Sequence, residues 1–377
     1  MIEYRKARPE EREAYLAFAD MVFNLSGTDI SFERSIPKVY GADMDTAKLQ
    51  NIAFDDEKGI RGLIAVLPQT LHVLNRTLKT GYVGTVSVHP DARGEGHMKA
   101  LMAKTLEEMR ANGADIALLG GQRQRYEYFG YAQGGVLHHI EINSSNIRHA
   151  LKDVSIDGVT LSEITSGTAL ERQAQALHDA RPYHFDRSSP GFAVVCRTYL
   201  HTPWAVEQHG RLLGYLIASA DKKRLAEIYA ASPADLDTML KAWLTLHALD
   251  EIVLDMPDYD AALLRHLCIW AESVTRSPAL SARVLNYPHV VEAMLRLTAS
   301  YQTLEDGTLP LCCEGQAFTV QVTSNQVRVT EGADHPLVLD ALSAGRLLFT
   351  PFDYEDRPAV PRGWFPLPVC SQEADAF

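Results

Sequence analysis

Residues 87–102, SVHPDARGEGHMKALM, constrain this chain more than any other stretch. An alternating apolar run ends at His89-Pro90. Arg93 and two glycines one residue apart follow, and an apolar stripe at helical spacing begins at once. A helix N-terminus leaves its first backbone N–H groups unpaired and carries partial positive charge, so it attracts anions. Glycines just ahead of it let the backbone close around a phosphate without Cβ interference, and an arginine adds a bidentate charged donor. The stretch is suited to holding a pyrophosphate.

Its surroundings predict a parallel βαβ unit. Met98, Leu101, Met102, Thr105 and Met109 recur on one helical face, Asn112-Gly113 ends the helix, and Ile116-Ala117-Leu118-Leu119 has the continuous apolar character of a buried strand. Upstream, the patterning predicts strands at 2–7, 50–55, 59–74 and 78–88 and a helix at 9–23. From about Val159 the layout restarts, with a helix at 169–178, strands at 214–218 and 225–230, a helix at 234–246 and a strand at 251–254. Nothing like Arg93-Gly-x-Gly96 precedes that second amphipathic helix. After about Arg283 the texture changes again: a helix near 290–297, a hairpin about Ser324-Asn325, a short helix at 337–344 and an irregular, proline-studded tail at 351–368.

Composition narrows the function. At 377 residues the chain exceeds one typical core. Five cysteines without framework or CxxC spacing read as reduced thiols, and 14 histidines show no ligand spacing, so no protein-held metal is expected. The charged N-terminal residues resemble neither a signal peptide nor an anchor, so the expectation is a cytoplasmic protein without membrane contact. A formal net charge of −12 argues against nucleic acid and suits a cationic small partner.

Among phosphate loops, Walker A needs Lys-Ser/Thr after its second glycine, where His97-Met98 stands, and the dinucleotide fingerprint needs a third glycine at Lys99. Arg93-Gly94-Glu95-Gly96-His97-Met98 resembles the Arg-x-x-Gly-x-Gly/Ala loop of the GNAT acetyltransferases, departing at the last position. The order of strand, loop, helix, strand and RYEYFGY (125–131) resembles the same family. With VLNYPHVVEAM (284–294) and the terminal phenylalanine, the whole chain resembles the Eis-type GNAT N-acetyltransferases. In that group Met98 is an accepted variation, whereas Gly94 and Glu95 replace basic residues.

The resemblance implies a mixed α+β and α/β fold in three units. These are a catalytic GNAT domain at 1–148, a degenerate GNAT-like domain without a phosphate loop at 149–282, and a sterol-carrier-protein-like α+β domain at 283–377. It implies acetyl-CoA as cosubstrate, held by Val86, Ser87, Val88, Arg93, Gly94, Glu95, Gly96, His97, Met98, Lys99, Gly121 and Gln122. It further implies Tyr126 as the acid that protonates the departing thiolate, and the α-carboxylate of Phe377 as the base. Asp29, Phe32, Glu33 and Tyr40 fall in the segment that usually walls the acceptor pocket. The expected acceptor is a primary amine of an aminoglycoside-like or polyamine-like cation or of lysine, and the expected assembly is a homohexamer. The competing reading is a non-enzymatic coenzyme A sensor or lipid carrier.

Overall fold

The computed structural model describes residues 1–42, 44–351 and 358–377. Three sheets organise them. The first runs in the order Ile2–Lys6, Gln50–Asp55, Gly59–Val73, Arg76–Val88, Ile116–Leu119, Leu280–Val284, Ala132–Gly134, and Tyr183–Phe185 pairs off Gly59–Val73. The second runs Ser273–Ser277, Leu137–Asn143, Glu251–Pro257, Arg224–Ala230, Arg211–Ala218, Thr202–Gln208, Val159–Glu163. The third is four-stranded: Gln326–Glu331, Gln316–Thr323, Gly307–Cys313, Leu337–Leu339.

The βαβ unit forms as the periodicity requires. Arg76–Val88 and Ile116–Leu119 pair in parallel, and helix His97–Ala111 buries Leu101, Met102, Thr105, Leu106 and Met109 between them. All four residues of Ile116–Leu119 are buried. The expected 9–23 helix opens with a 3-10 turn, Pro9–Glu11, before Arg12–Phe23. The hairpin at 324–325 has both residues in the left-handed region, φ +50° and +63°, the turn that matches the twist of adjoining strands.

One expectation is corrected. The segment 337–344 is not one helix: Leu337–Leu339 adds in parallel to the third sheet, and helix Ala341–Phe349 starts only after Asp340, whose carboxylate accepts from the Ser343 N–H at 2.7 Å. The cap stops the helix from extending back into an apolar Leu-Val-Leu that pairs better as a strand. The chain also passes between sheets more than once. Leu137–Asn143 belongs to the second sheet, and Leu280–Val284 returns to the first, between Ile116–Leu119 and Ala132–Gly134. The chain changes sheets at Gly134-Gly135, where a Cβ on Gly135 would lie 1.7 Å from the Val369 carbonyl oxygen. Part of the tail expected to be irregular, residues 352–357, lies outside the described residues. Residues 358–368 hold no helix or strand, although Trp364 is fully buried.

Candidate active site

The site is organised by a divergence of two strands. Parallel pairing between Arg76–Val88 and Ile116–Leu119 runs from Thr80↔Ile116 to Val83↔Leu119 and stops. Beyond it, Arg76–Val88 keeps its antiparallel neighbour through Leu63↔Ser87 and Gly62↔Val88, with a register shift between Leu63 and Ala65. Thr85 sits inside that bulge at φ +47°, an uncommon conformation for a β-branched residue. Its hydroxyl and that of Tyr40 lie 3.0 Å apart. The backbone of Val86, Ser87 and Val88 therefore has no strand partner on the side facing Ile116–Leu119 among the described residues. Such an edge offers its N–H and C=O groups to an extended ligand.

The loop continues from this edge. His89 N–H bonds Arg61 O at 2.9 Å, a short turn covers Pro90–Ala92, and Gly94 and Gly96 take φ +88° and +85°. A side chain at either glycine would meet no atom within 4 Å, so the space before the helix is open. Gly96 is the N-cap and supplies no side-chain cap, which leaves the first-turn N–H groups of His97, Met98 and Lys99 without intrahelical partners. Arg93 and Lys99 are exposed, and Lys99 Nζ lies 5.2 Å from the centroid of the Tyr128 ring.

The structure withdraws the side chain of His97, but not that of Glu95, from this open face. His97 is buried, with Nδ1 2.9 Å from the Tyr4 hydroxyl and Nε2 3.0 Å from Glu95 Oε2. Glu95 itself stays exposed while paired with His97, so its charge remains at the loop, and His97 offers the loop only its backbone.

Gly121, at φ +127°, and Gln122 follow Ile116–Leu119, both exposed. A Cβ on Gly121 would stand 3.0 Å from the Tyr126 ring. Tyr126 is buried in the cluster holding Val83, Leu101, Met102 and Leu119. Desolvation raises its pKa, so its hydroxyl stays protonated at neutral pH.

The last residue arrives at the mouth of the divergence. A Cβ placed on Gly84, one residue past the final parallel pair, would lie 2.7 Å from the Phe377 ring and 3.0 Å from its carboxyl carbon. Only a glycine at 84 lets the terminus come so close. The Phe377 ring lies 5.8 Å from that of Tyr40, which in turn lies 5.8 Å from that of Phe32. Of the four expected acceptor-wall residues, Tyr40 thus packs against the terminus and Phe32 packs behind Tyr40. Asp29 and Glu33 do neither: Asp29 is exposed, and Glu33 is exposed and pairs with Arg12 at 3.1 Å.

Residues that sequence reasoning missed hold the tail in place. Lys38 Nζ donates to Ala374 O at 2.5 Å, Gln69 Nε2 donates to Asp375 O at 3.0 Å, and the Tyr183 hydroxyl donates to Cys370 O at 2.5 Å. The fully buried Arg187 guanidinium grips Asp375 through Nε and Nη2, both at 2.8 Å, and Glu227 at 2.7 Å. Burial pushes the Glu227 carboxyl up, but Arg187, His178 and Arg181 outweigh it and hold it well below the usual range. No local signal marks these pairs, because Arg187 and Asp375 are far apart in sequence. Among the described residues, no group of three His, Cys, Asp or Glu is placed to hold a metal ion, and no helix is long and apolar enough to cross a membrane.

Residues 3–134 match the acetyltransferase (GNAT) domain family. No curated protein matches the chain. Among solved structures, a GCN5-related N-acetyltransferase from Anabaena variabilis aligns at a TM-score of 0.65 and 18% identity, covering 93% of this chain and 91% of its own. A probable N-acyltransferase from Enterococcus faecalis aligns at 0.65 and 14%, covering 92% and 90%. Eis1 from Mycobacterium abscessus aligns at 0.63 and 16%, covering 92% and 89%. At these identities the likeness is one of fold, over nearly the whole chain. With its GNAT domain, the protein is an acyltransferase.

Proposed function

We propose that this acyltransferase is an Eis-type N-acetyltransferase that moves an acetyl group from acetyl-CoA to a primary amine, with its own C-terminal carboxylate as the base. The observation that carries this reading is the position of the Phe377 carboxyl against Gly84, where the two strands part. Acetyl-CoA supplies an acetyl group already activated as a thioester.

The chain's residues divide the remaining work. The open first-turn N–H groups after Gly94 and Gly96, with Arg93 and Lys99, hold the pyrophosphate. The unpaired edge of Val86, Ser87 and Val88 holds the pantetheine arm, and an N–H near Val88 polarises the acetyl carbonyl. Gly121 and Gln122 bound the opposite side, and the Tyr126 hydroxyl delivers a proton to the leaving sulfur. A carboxylate is a suitable acceptor for the proton that the attacking amine must lose. Phe377 is 8% exposed and packs against Tyr40, which supports that role. Phe32 and Tyr40 form the acceptor wall near the carboxylate, with Asp29 and Glu33 farther out as attraction for a cation.

The same reading treats the third sheet as a sterol-carrier-like unit whose tail completes the first unit's site, and the assembly as a cytoplasmic homohexamer. The acceptor is an aminoglycoside-like or polyamine-like amine, or lysine. Thiol release from acetyl-CoA, measured with kanamycin, spermine and a lysine peptide, tests it. Amine-stimulated release supports the reading. Coenzyme A binding without release for any amine would leave the non-enzymatic alternative.

A further inference from the structure

The long strand Gly59–Val73 has an uncovered stretch of edge. Its pairing with Gln50–Asp55 ends at Gln50↔Ala65, and its pairing with Tyr183–Phe185 begins at Leu71. Around that gap lies a cavity of about 700 Å³, within the size range of small-molecule sites. Gly84, Thr85, Tyr40 and Phe377, which mark the cleft described above, are not among its lining residues.

Its charge is opposite to that of the protein. Lys6, Lys38, Lys48 and Lys79 line it, with Glu108 and Asp186 as the acidic residues. Both acids are already satisfied: Glu108 by Lys6 at 2.7 Å and Lys104 at 3.4 Å, Asp186 by the Ser188 N–H at 2.8 Å. Lys38, Lys48 and Lys79 have no ion-pair partner among the described residues. In a chain of net charge −12, this is a positive cavity.

Lys38 is the decisive residue. It is 4% exposed and lines the cavity, and its ammonium donates to one backbone carbonyl, Ala374 O. An ammonium has three donors, and a buried charge without a counterion is costly. Asp375, the nearby carboxylate, is already gripped by Arg187. Desolvation accordingly lowers the Lys38 pKa to about 7. Val66, Leu67, Pro68 and Met109 give the cavity apolar walls.

We propose that this cavity binds a small organic carboxylate with an apolar body, its anionic head paired with Lys38 and its entry flanked by Lys48 and Lys79. Binding would set the ligand's head beside the carbonyl of Ala374, on the tail that carries Phe377. The site thereby joins ligand occupancy to the tail's anchorage.

Calorimetric titration of the full chain with octanoate and with octylamine, below neutral pH and without acetyl-CoA, tests the proposal independently of acetyl transfer. Saturable octanoate binding, octylamine binding at least tenfold weaker, and a roughly tenfold or greater loss of octanoate affinity in Lys38→Met are expected, as for loss of a charge-assisted contact. Should Lys38→Met fail to fold, the double variant Lys48→Ala/Lys79→Ala, at two exposed positions, carries the test with an expected severalfold loss. No saturable octanoate binding, equal binding of the amine, or unchanged affinity in the folded variants would overturn it.

Discussion

The molecule contains the same strand–helix–strand unit twice, and the two differ at the helix N-terminus. In the first sheet, residues 89–96 separate Arg76–Val88 from helix His97–Ala111, with two left-handed glycines and no side-chain cap. In the second, only residues 231–232 separate Arg224–Ala230 from helix Pro233–Leu246. There Ser232 Oγ accepts from the Asp235 N–H at 3.1 Å, Pro233 occupies the first turn, and Asp235 adds a negative charge paired with Arg211. One helix keeps its donors and positive end open; the other has spent both on its own side chains.

The strand divergence repeats as well, with different contents. Parallel pairing in the second unit stops at Leu225↔Leu254, and the next buried polar residue, Glu227, is bound by Arg187, Arg181 and the Tyr215 hydroxyl. In the first unit the corresponding gap meets a glycine and the chain terminus. A scaffold that opens a slot between strands is therefore not a binding site by itself. What fills the slot decides: fixed ion pairs in one copy, unpaired backbone and a carboxylate in the other. Asp375, held by Arg187 together with Glu227, joins the two arrangements, so the closed copy anchors the tail that reaches Gly84 in the open one.

The largest effect is expected from moving the terminus. A few residues added after Phe377 displace the carboxylate from Gly84, and turnover should fall by about 10²–10⁴-fold, the usual contribution of a positioned base. The same residues added before Met1 should be harmless. Equal acetylation rates for the two tagged proteins would break the comparison at its centre. Tyr126→Phe removes one hydroxyl from a buried ring; turnover should fall, at most to a similar extent, with both binding constants retained. Unchanged turnover, with chemistry shown to be rate-limiting, would make Tyr126 a packing residue of its cluster. Arg93→Ala and Gly96→Asp act on the open helix end. Loss of one charge-assisted contact is worth roughly 1.5–3 kcal/mol, so acetyl-CoA affinity should drop by about ten- to a hundredfold. Acceptor binding should change little, and wild-type coenzyme A affinity in both variants would sink the phosphate-loop reading.

Much of this contrast was legible in the sequence, because it rests on local chemistry. Arg93-Gly94-x-Gly96 before an apolar stripe, and its absence before residues 234–246, distinguished the two units without a structure. The Ile116–Leu119 strand was equally plain, since a short continuous apolar run between a helix end and a glycine pair has few other uses. The path of the tail was not legible. Its anchors are a buried lysine, a buried arginine and backbone carbonyls, and nothing local distinguishes Lys38 or Arg187 from surface cations. The sheet exchange at Gly134-Gly135 was hidden for a different reason. The glycines are visible, but the Phe349 and Val369 backbone that crowds them comes from the far end of the chain. Asp29 and Glu33 show the converse: position in the expected wall segment does not bring a side chain to the terminus.

The smallest effect sharpens the comparison from the closed side. Ser232→Ala removes the cap that satisfies the Asp235 N–H, and losing such a cap typically costs about 1 kcal/mol. The urea midpoint should fall correspondingly while acetyl-CoA affinity and turnover stay at the wild-type level. The exposed N–H does not create a second phosphate site. Pro233 still lacks a donor, Asp235 still repels an anion, and Glu227 still occupies the slot beyond the strand with its two arginines. If Ser232→Ala instead bound a second equivalent of coenzyme A in an equilibrium titration, the serine alone would have been closing the site. The difference between the two units would then lie in one cap, not in the whole set of residues around it.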